Sequence, residues 1–199
     1  MKYLLVAILI SVTTFVSSQD LSKTLKKIKT EEQAHQFVKS NSHASLSTIL
    51  SVKDTSEIAR TLLAKKRGDI LTIGDYIYKI INSTTTSAFK VSYIYLDAGK
   101  LSLMTIDSIR GVIINKFHNG SSFADLVSQY TMDGNPTGEF GWATSDMTVK
   151  EFSSAVKAHK KGDIFTIDVV ENKWYYVTLK TYDDQPTKVV TVLRVGNAG

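Results

Sequence analysis

The sequence predicts an α+β fold. Three observations carry that class. Helical stripes begin at capping boxes, Ile- and Tyr-rich runs are bounded by short turns, and the second half reads as strand, two helices, short strand, helix, two strands.

Met1 to Ser18 reads as a secretory signal peptide: Lys2 supplies the positive start, Tyr3 to Val16 is mostly apolar, and Val16-Ser17-Ser18 offers small residues for cleavage before Gln19. The run is shorter than the roughly 20 residues that span a bilayer, and no other segment is apolar enough to cross one. Thr30 and Gln33 form a capping box ahead of Ala34, Phe37 and Val38 on one helical face. Asp54 to Glu57 is a similar start, with Ile58, Leu62 and Leu63 facing inward and Gly68 ending the helix. Ile70 to Ile81 predicts strand with a Gly74-Asp75 turn, and Asn82 to Ser87 a Ser/Thr linker at a domain boundary.

Phe89 to Leu96 opens the second half as a strand. Ile106, Ile109, Val112, Ile113 and Phe117 form a helical stripe closed by Asn119-Gly120. Phe123, Leu126, Val127 and Tyr130 repeat that spacing behind a Ser122/Asp125 capping box, and Thr148 and Glu151 cap a third helix carrying Phe152, Ala155 and Val156. Ile164 to Val169 and Trp174 to Lys180 predict strands joined at Glu171-Asn172, and Lys188 to Val195 an exposed, strand-like tail after Pro186. The halves echo one another: residues 57–73 and 151–167 align without a gap, and eight of the seventeen positions are identical. A diverged, shortened copy is the favoured explanation, and chance similarity of two helix-Gly-strand joints is the alternative.

The composition, 43% hydrophobic and 22% charged, is that of a globular protein. The absence of cysteine removes disulfides, thiolate metal sites, cysteine nucleophiles and a lipid-anchor cysteine. Four scattered His give no metal spacing, and no Gly-rich phosphate loop or nucleophile motif is present, so no cofactor is expected. The net charge is +5, but the basic residues are scattered or gathered just before Gly-Asp turns, where cations suit a helix C-terminus; nucleic acid is not an expected partner.

Three segments bear a family likeness. Phe123-Ala124-Asp125-Leu126-Val127-Ser128-Gln129-Tyr130-Thr131, Gly138-Glu139-Phe140-Gly141-Trp142, and Glu151-Phe152 through Lys161-Gly162-Asp163-Ile164 resemble, in order and spacing, the helix, turn-strand and helix-turn motifs of parvulin-type peptidyl-prolyl isomerases. The resemblance covers about residues 89 to 182. It implies a four-stranded antiparallel sheet wrapped by helices over 88–183, preceded by a smaller diverged parvulin-like module at 19–83 and followed by a C-terminal strand at 184–199. It places a proline socket at Phe140, Met147, Thr148 and Phe152, and Asp133 beside the substrate carbonyl. The family's paired histidines are replaced by Tyr93 and Tyr175, whose hydroxyls are expected to approach each other or Asp133. A phenol keeps part of an imidazole's hydrogen bonding but carries no positive charge near neutrality, so weakened or lost turnover is compatible with retained binding. The short Asp97-Ala98-Gly99-Lys100 loop lacks a basic cluster, so no preference for phosphoserine-proline is expected.

The leading expectation is therefore a soluble, exported, periplasmic isomerase and folding factor acting on unfolded or secreted proline-containing polypeptides. The alternatives are a non-catalytic subunit docked on an outer-membrane secretion or assembly complex, through the first half or the 188–195 tail, and a holdase chaperone without turnover.

Overall fold

The computed structural model describes residues 18–196. The expected export signal lies outside these residues, save for Ser18, which opens helix α1 (Ser18–Lys27). Leu21, Leu25 and Ile28, spaced four and three apart, turn one side of α1 into the core. Helix α2 (Glu31–Ser40) starts at the expected capping box: Gln33 N–H donates to the Thr30 hydroxyl at 3.2 Å, and Thr30 N–H donates to the Gln33 side chain at 3.3 Å. Such a cap stabilises a helix by about 1 kcal/mol. Strand β1 (Ala44–Leu50) follows.

Helix α3 (Glu57–Leu63) is capped by Ser56, not by Asp54, which accepts the Leu50 N–H at 2.9 Å instead. Leu62 and Leu63 are buried, but Ile58, expected inside, is 46% exposed, and the helix ends well before Gly68. β2 (Ile70–Ile73) and β3 (Tyr76–Asp97) form an antiparallel hairpin with Ile73 opposite Tyr76. Gly74, at φ +55, supplies the positive angle that the first central residue of a type II′ turn needs.

The remaining elements are α4 (Leu103–His118), α5 (Phe123–Tyr130), β4 (Glu139–Ala143), α6 (Lys150–Ala158), β5 (Ile164–Val169) and β6 (Trp174–Gly196). In α4, Ile106 and Ile113 are buried, whereas Val112 of the expected stripe is 43% exposed. Ser122 caps α5 as expected, accepting the Asp125 N–H at 3.1 Å. Thr148 does not cap α6: the capping position is Val149, which offers no side-chain bond. Asn82–Ser87 is strand, part of β3, and not a linker; its threonines suit a strand as well as a loop.

Two compact units emerge among the described residues, 18–49, 56–83 and 190–196, and 50–55 and 84–189. In the first, β1, the end of β6, the start of β3 and β2 pair in that order. The alternation of a strand gives β3 two buried faces: Ile77 and Ile81 pack with Leu25, Ile28 and Ala34, while Tyr78 and Ile80 pack with Leu62 and Leu63. The 188–195 segment is not the exposed tail expected. It is the end of β6, and Val190, Val192 and Leu193 are buried. The open edge expected for pairing with a partner is therefore occupied.

In the second unit β4 pairs antiparallel with β3, and β5 with β6. One core layer joins Ile94, Leu96, Tyr175 and Val177 to Ile106, Ile113, Phe123, Leu126 and Val127 of α4 and α5. A second joins Phe89, Val91, Phe165 and Ile167 to Phe152 and Val156 of α6. The fold is α+β, an antiparallel sheet with helices packed on it.

The aligned segments 57–73 and 151–167 make their turns with the same bonds. Gly68 N–H donates to the Ile80 carbonyl and Gly162 N–H to the Lys180 carbonyl, both at 2.8 Å. Lys66 N–H donates to the Asp69 carboxylate and Lys160 N–H to that of Asp163, both at 2.9 Å. Both glycines have φ +93.

Candidate active site

The second unit holds a pocket of about 410 Å³ with a largely aromatic wall. Tyr93 comes from β3, Asp133 from the loop after α5, Phe140 from β4, Met147 and Thr148 from the turn before α6, Phe152 from α6 itself, and Trp174 and Tyr176 from β6. Local backbone explains several of these placements. The β3–β4 register runs Val91 opposite Gly141, then Ser92 opposite Glu139, which leaves Phe140 as the extra residue of a β-bulge. A bulge re-aims the side chain that it carries. Phe140 is 39% exposed, and its ring lies 5.6 Å from that of buried Phe152. Phe152 also meets Tyr176 edge-on at 5.4 Å.

One wall is polar. Tyr93 Oη donates to Asp133 Oδ2 at 2.8 Å, Thr131 Oγ1 donates to Asp133 Oδ1 at 2.9 Å, and Asn135 N–H donates to the same oxygen at 3.2 Å. Asn135 Nδ2 bridges Tyr93 Oη at 3.2 Å and the Glu139 carbonyl at 3.0 Å. The expected approach of Tyr93 to Asp133 is thus present.

Tyr175 is elsewhere. Its ring is buried in the layer under α4, with the Arg110 guanidinium 5.0 Å from its centre. Arg110 is held there by the Ile167 carbonyl and by Asp168, each at 2.7 Å. The neighbour Tyr176, on the opposite face of β6, lines the pocket and meets Tyr93 edge-on at 5.8 Å. Sequence reasoning took the wrong residue of the Tyr-Tyr pair because both sheet faces are covered. Trp174-Tyr175-Tyr176-Val177 is then a continuous apolar run without a polar side to mark the register. It also missed Trp174, Val149 and Asp146 in the lining and the Thr131–Asn135 support of Asp133. Thr148 Oγ1 is buried and has no hydrogen-bond partner among the described residues.

Burial, more than any charge, raises the Tyr176 phenol well above its usual range, with Tyr95, Tyr93 and Asp133 adding to the effect. Tyr93 is raised by burial and by Asp133, against an opposing bond from Asn135. Raised phenols bind their protons more tightly folded than unfolded, so this stabilisation is fully present below the ordinary tyrosine value of 10.0 and is lost as pH climbs through the folded values. Unfolding midpoints in urea are expected to hold up to about pH 10 and to fall above it, and Tyr176→Phe to flatten that fall. An unchanged slope in the variant would show that other groups set the alkaline limit.

Among the described residues no cluster of His, Asp and Glu could hold a metal. What it offers is an apolar aromatic socket next to hydroxyl groups and a fixed carboxylate. No helix among the described residues is long and apolar enough to cross a membrane.

Several solved structures are similar. A PpiC-type peptidyl-prolyl cis-trans isomerase domain matches at 14% identity and TM-score 0.45 over 57% of this chain and 97% of its own. The peptidylprolyl isomerase PrsA of Bacillus anthracis matches at 21% identity and TM-score 0.40 over 50% of this chain and 42% of its own. SurA-like chaperones of Campylobacter jejuni match at 17% identity and TM-score 0.40 over 83% of this chain and 51% of theirs. No curated protein matches. The family model described as the PPIC-type PPIASE domain matches residues 76–185, more than half of the chain, and on that match the chain belongs to the PPIC-type, or parvulin, family of peptidyl-prolyl isomerases.

Proposed function

We infer that this isomerase acts on unfolded, exported polypeptides, seating a proline ring against Phe140, Met147 and Phe152 while the preceding peptide bond turns beside Tyr93, Asp133 and Tyr176. The observation that carries the reading is the pairing of an aromatic socket with the bonded Tyr93–Asp133 wall in one pocket. Rotation about an X–Pro bond faces a barrier of about 18–20 kcal/mol and takes roughly 10–100 s unaided. No bond breaks, so the protein need only favour the twisted amide over the planar one.

The residues suit that task. In a planar amide, resonance places negative charge on the carbonyl oxygen, and twisting removes it. A carboxylate fixed beside that oxygen repels the planar form more than the twisted one. Asp133, held by three hydrogen bonds, is the group for this role. The Tyr176 hydroxyl bonds no protein group among the described residues and is the donor left for substrate. The charged residues in the lining, Asp133 and Asp146, are both acidic, which opposes a phosphorylated residue before the proline. The export-signal pattern of residues 1–18 supports periplasmic clients, and the matching Gly68 and Gly162 turns support a diverged copy in the first unit.

A protease-coupled proline-peptide assay tests the reading. Asp133→Asn is expected to lower kcat/KM at least about tenfold, which is about 1.4 kcal/mol of barrier. Tyr93→Phe should cost less and add little to Asp133→Asn, since both break one bond. Full turnover in Asp133→Asn would remove the carboxylate from the mechanism. Peptide binding without turnover in the unaltered protein would instead make it a holdase.

A further inference from the structure

Alternation along β3 sends Lys79 to the same face as Ile77 and Ile81, a face buried against Leu25, Ile28 and Ala34. Lysine there is anomalous: the residue is only 2% exposed, and its ammonium has no hydrogen-bond or ion-pair partner among the described residues. Its stem is buried, and its ammonium keeps access to solvent through the pocket that it lines. Lys79 lines a pocket of about 270 Å³ in the first unit, together with Lys29 and Arg67 and with Ile28, Gly68, Ile80 and Ile81. No carboxylate lines it. Burial first, and the charge of Lys29 second, pull the Lys79 ammonium below its usual range.

One of the two outer cations is held in place. Arg67 Nη2 donates to the Lys29 carbonyl at 2.8 Å, which ties the end of α1 to the turn before β2 and leaves the other guanidinium donors unused by that bond. Asp69, two residues from Arg67, accepts the Lys66 N–H at 2.9 Å, and Glu31, two residues from Lys29, accepts from Asn82 Nδ2 and Thr191 Oγ1, each at 3.2 Å. A lysine that is 2% exposed, two exposed cations and an apolar flank line one pocket, a lining suited to a charge of opposite sign.

We propose that this pocket is an oxyanion site that takes a phosphate-type dianion, free or as the head of a small phosphomonoester, with Lys79 as the floor and Lys29 and Arg67 as the rim. Three cations converge on it, so a dianion is favoured over a monoanion such as acetate. The apolar flank formed by Ile28 and Ile81 suits the stem of an ester. The site lies on other residues than the proline pocket, so its success or failure is independent of the prolyl reading.

Titration calorimetry and thermal melts of the full chain, with inorganic phosphate, phenyl phosphate and acetate at matched ionic strength, test the proposal. Phosphate or phenyl phosphate is expected to bind at one site and to raise Tm in a saturable way, and acetate to do neither. The stronger binder of the two identifies free anion or ester. Lys79→Met is expected to weaken binding at least about tenfold, the scale of one lost hydrogen bond to a charged group. Arg67→Gln, at the exposed rim, should weaken it with the fold undisturbed, so the proposal does not hang on Lys79→Met folding. An equal response to acetate, or a phosphate response that survives in both variants, would overturn it, as would no response at all.

Discussion

Gly138→Ala is expected to cost about 3 kcal/mol of stability and to deform the polar wall of the proline pocket. Gly138 sits at φ +62, where a side chain is strained, and the space around it is already filled. A Cβ there would lie 2.5 Å from the Tyr93 carbonyl oxygen and 2.6 Å from Val127 Cγ2. Neither neighbour can give way cheaply. The Tyr93 backbone is fixed in β3 by its own bond, N–H to the Gly138 carbonyl at 2.8 Å, and Val127 is fully buried. The chain must therefore move where Tyr93 presents its hydroxyl to Asp133. Urea unfolding should show a lowered midpoint with an unchanged slope. Gly134→Ala is the control, because a Cβ at Gly134 meets nothing within 4 Å. Equal shifts in the two variants would refute the steric account.

Phe152→Ala is expected to destabilise by about 3–5 kcal/mol, the usual cost of emptying a buried aromatic site. Its ring is shared between two tasks. On one side it packs against Phe89 at 6.5 Å in the core layer under α6, and on the other it meets Phe140 and Tyr176 in the pocket. Stability and ligand binding should fall together in the alanine variant. Phe152→Leu separates them: it keeps most of the volume and should fold, yet it loses the flat ring surface and should raise KM for proline peptides with a smaller change in kcat. A leucine variant with unaltered KM would place Phe152 in the core alone.

The sequence made the local structure legible wherever a side chain acts on its own backbone. Thr30/Gln33 and Ser122 cap their helices, and Gly74 turns its hairpin. It failed where the outcome depends on distant partners. Ile58 points outward while Ala59, Leu62 and Leu63 of α3 face the core, and Thr148 leaves the capping position to Val149. Asn82–Ser87 has a loop's composition, yet strand pairing along β3 overrides it. The socket residues Phe140, Met147, Thr148 and Phe152 and the wall residues Tyr93 and Asp133 do gather in one pocket, as the family likeness implied. The mistake over Tyr175 was one of parity, and a strand gives no parity when both of its faces are dry.

The Tyr93–Tyr176 pairing bears on the conditions in which the protein can work. Histidine is the side chain that ordinarily changes charge between about pH 5 and about pH 8, and none lines this pocket. In its place stand two phenols whose protons are held more tightly than usual. On the proposed reading as an exported protein, the chain meets whatever acidity its surroundings impose. Tyrosine at position 93 gives up the cation of a histidine, and in return the protonation of both phenols stays the same while the medium drifts from mildly acidic to mildly alkaline.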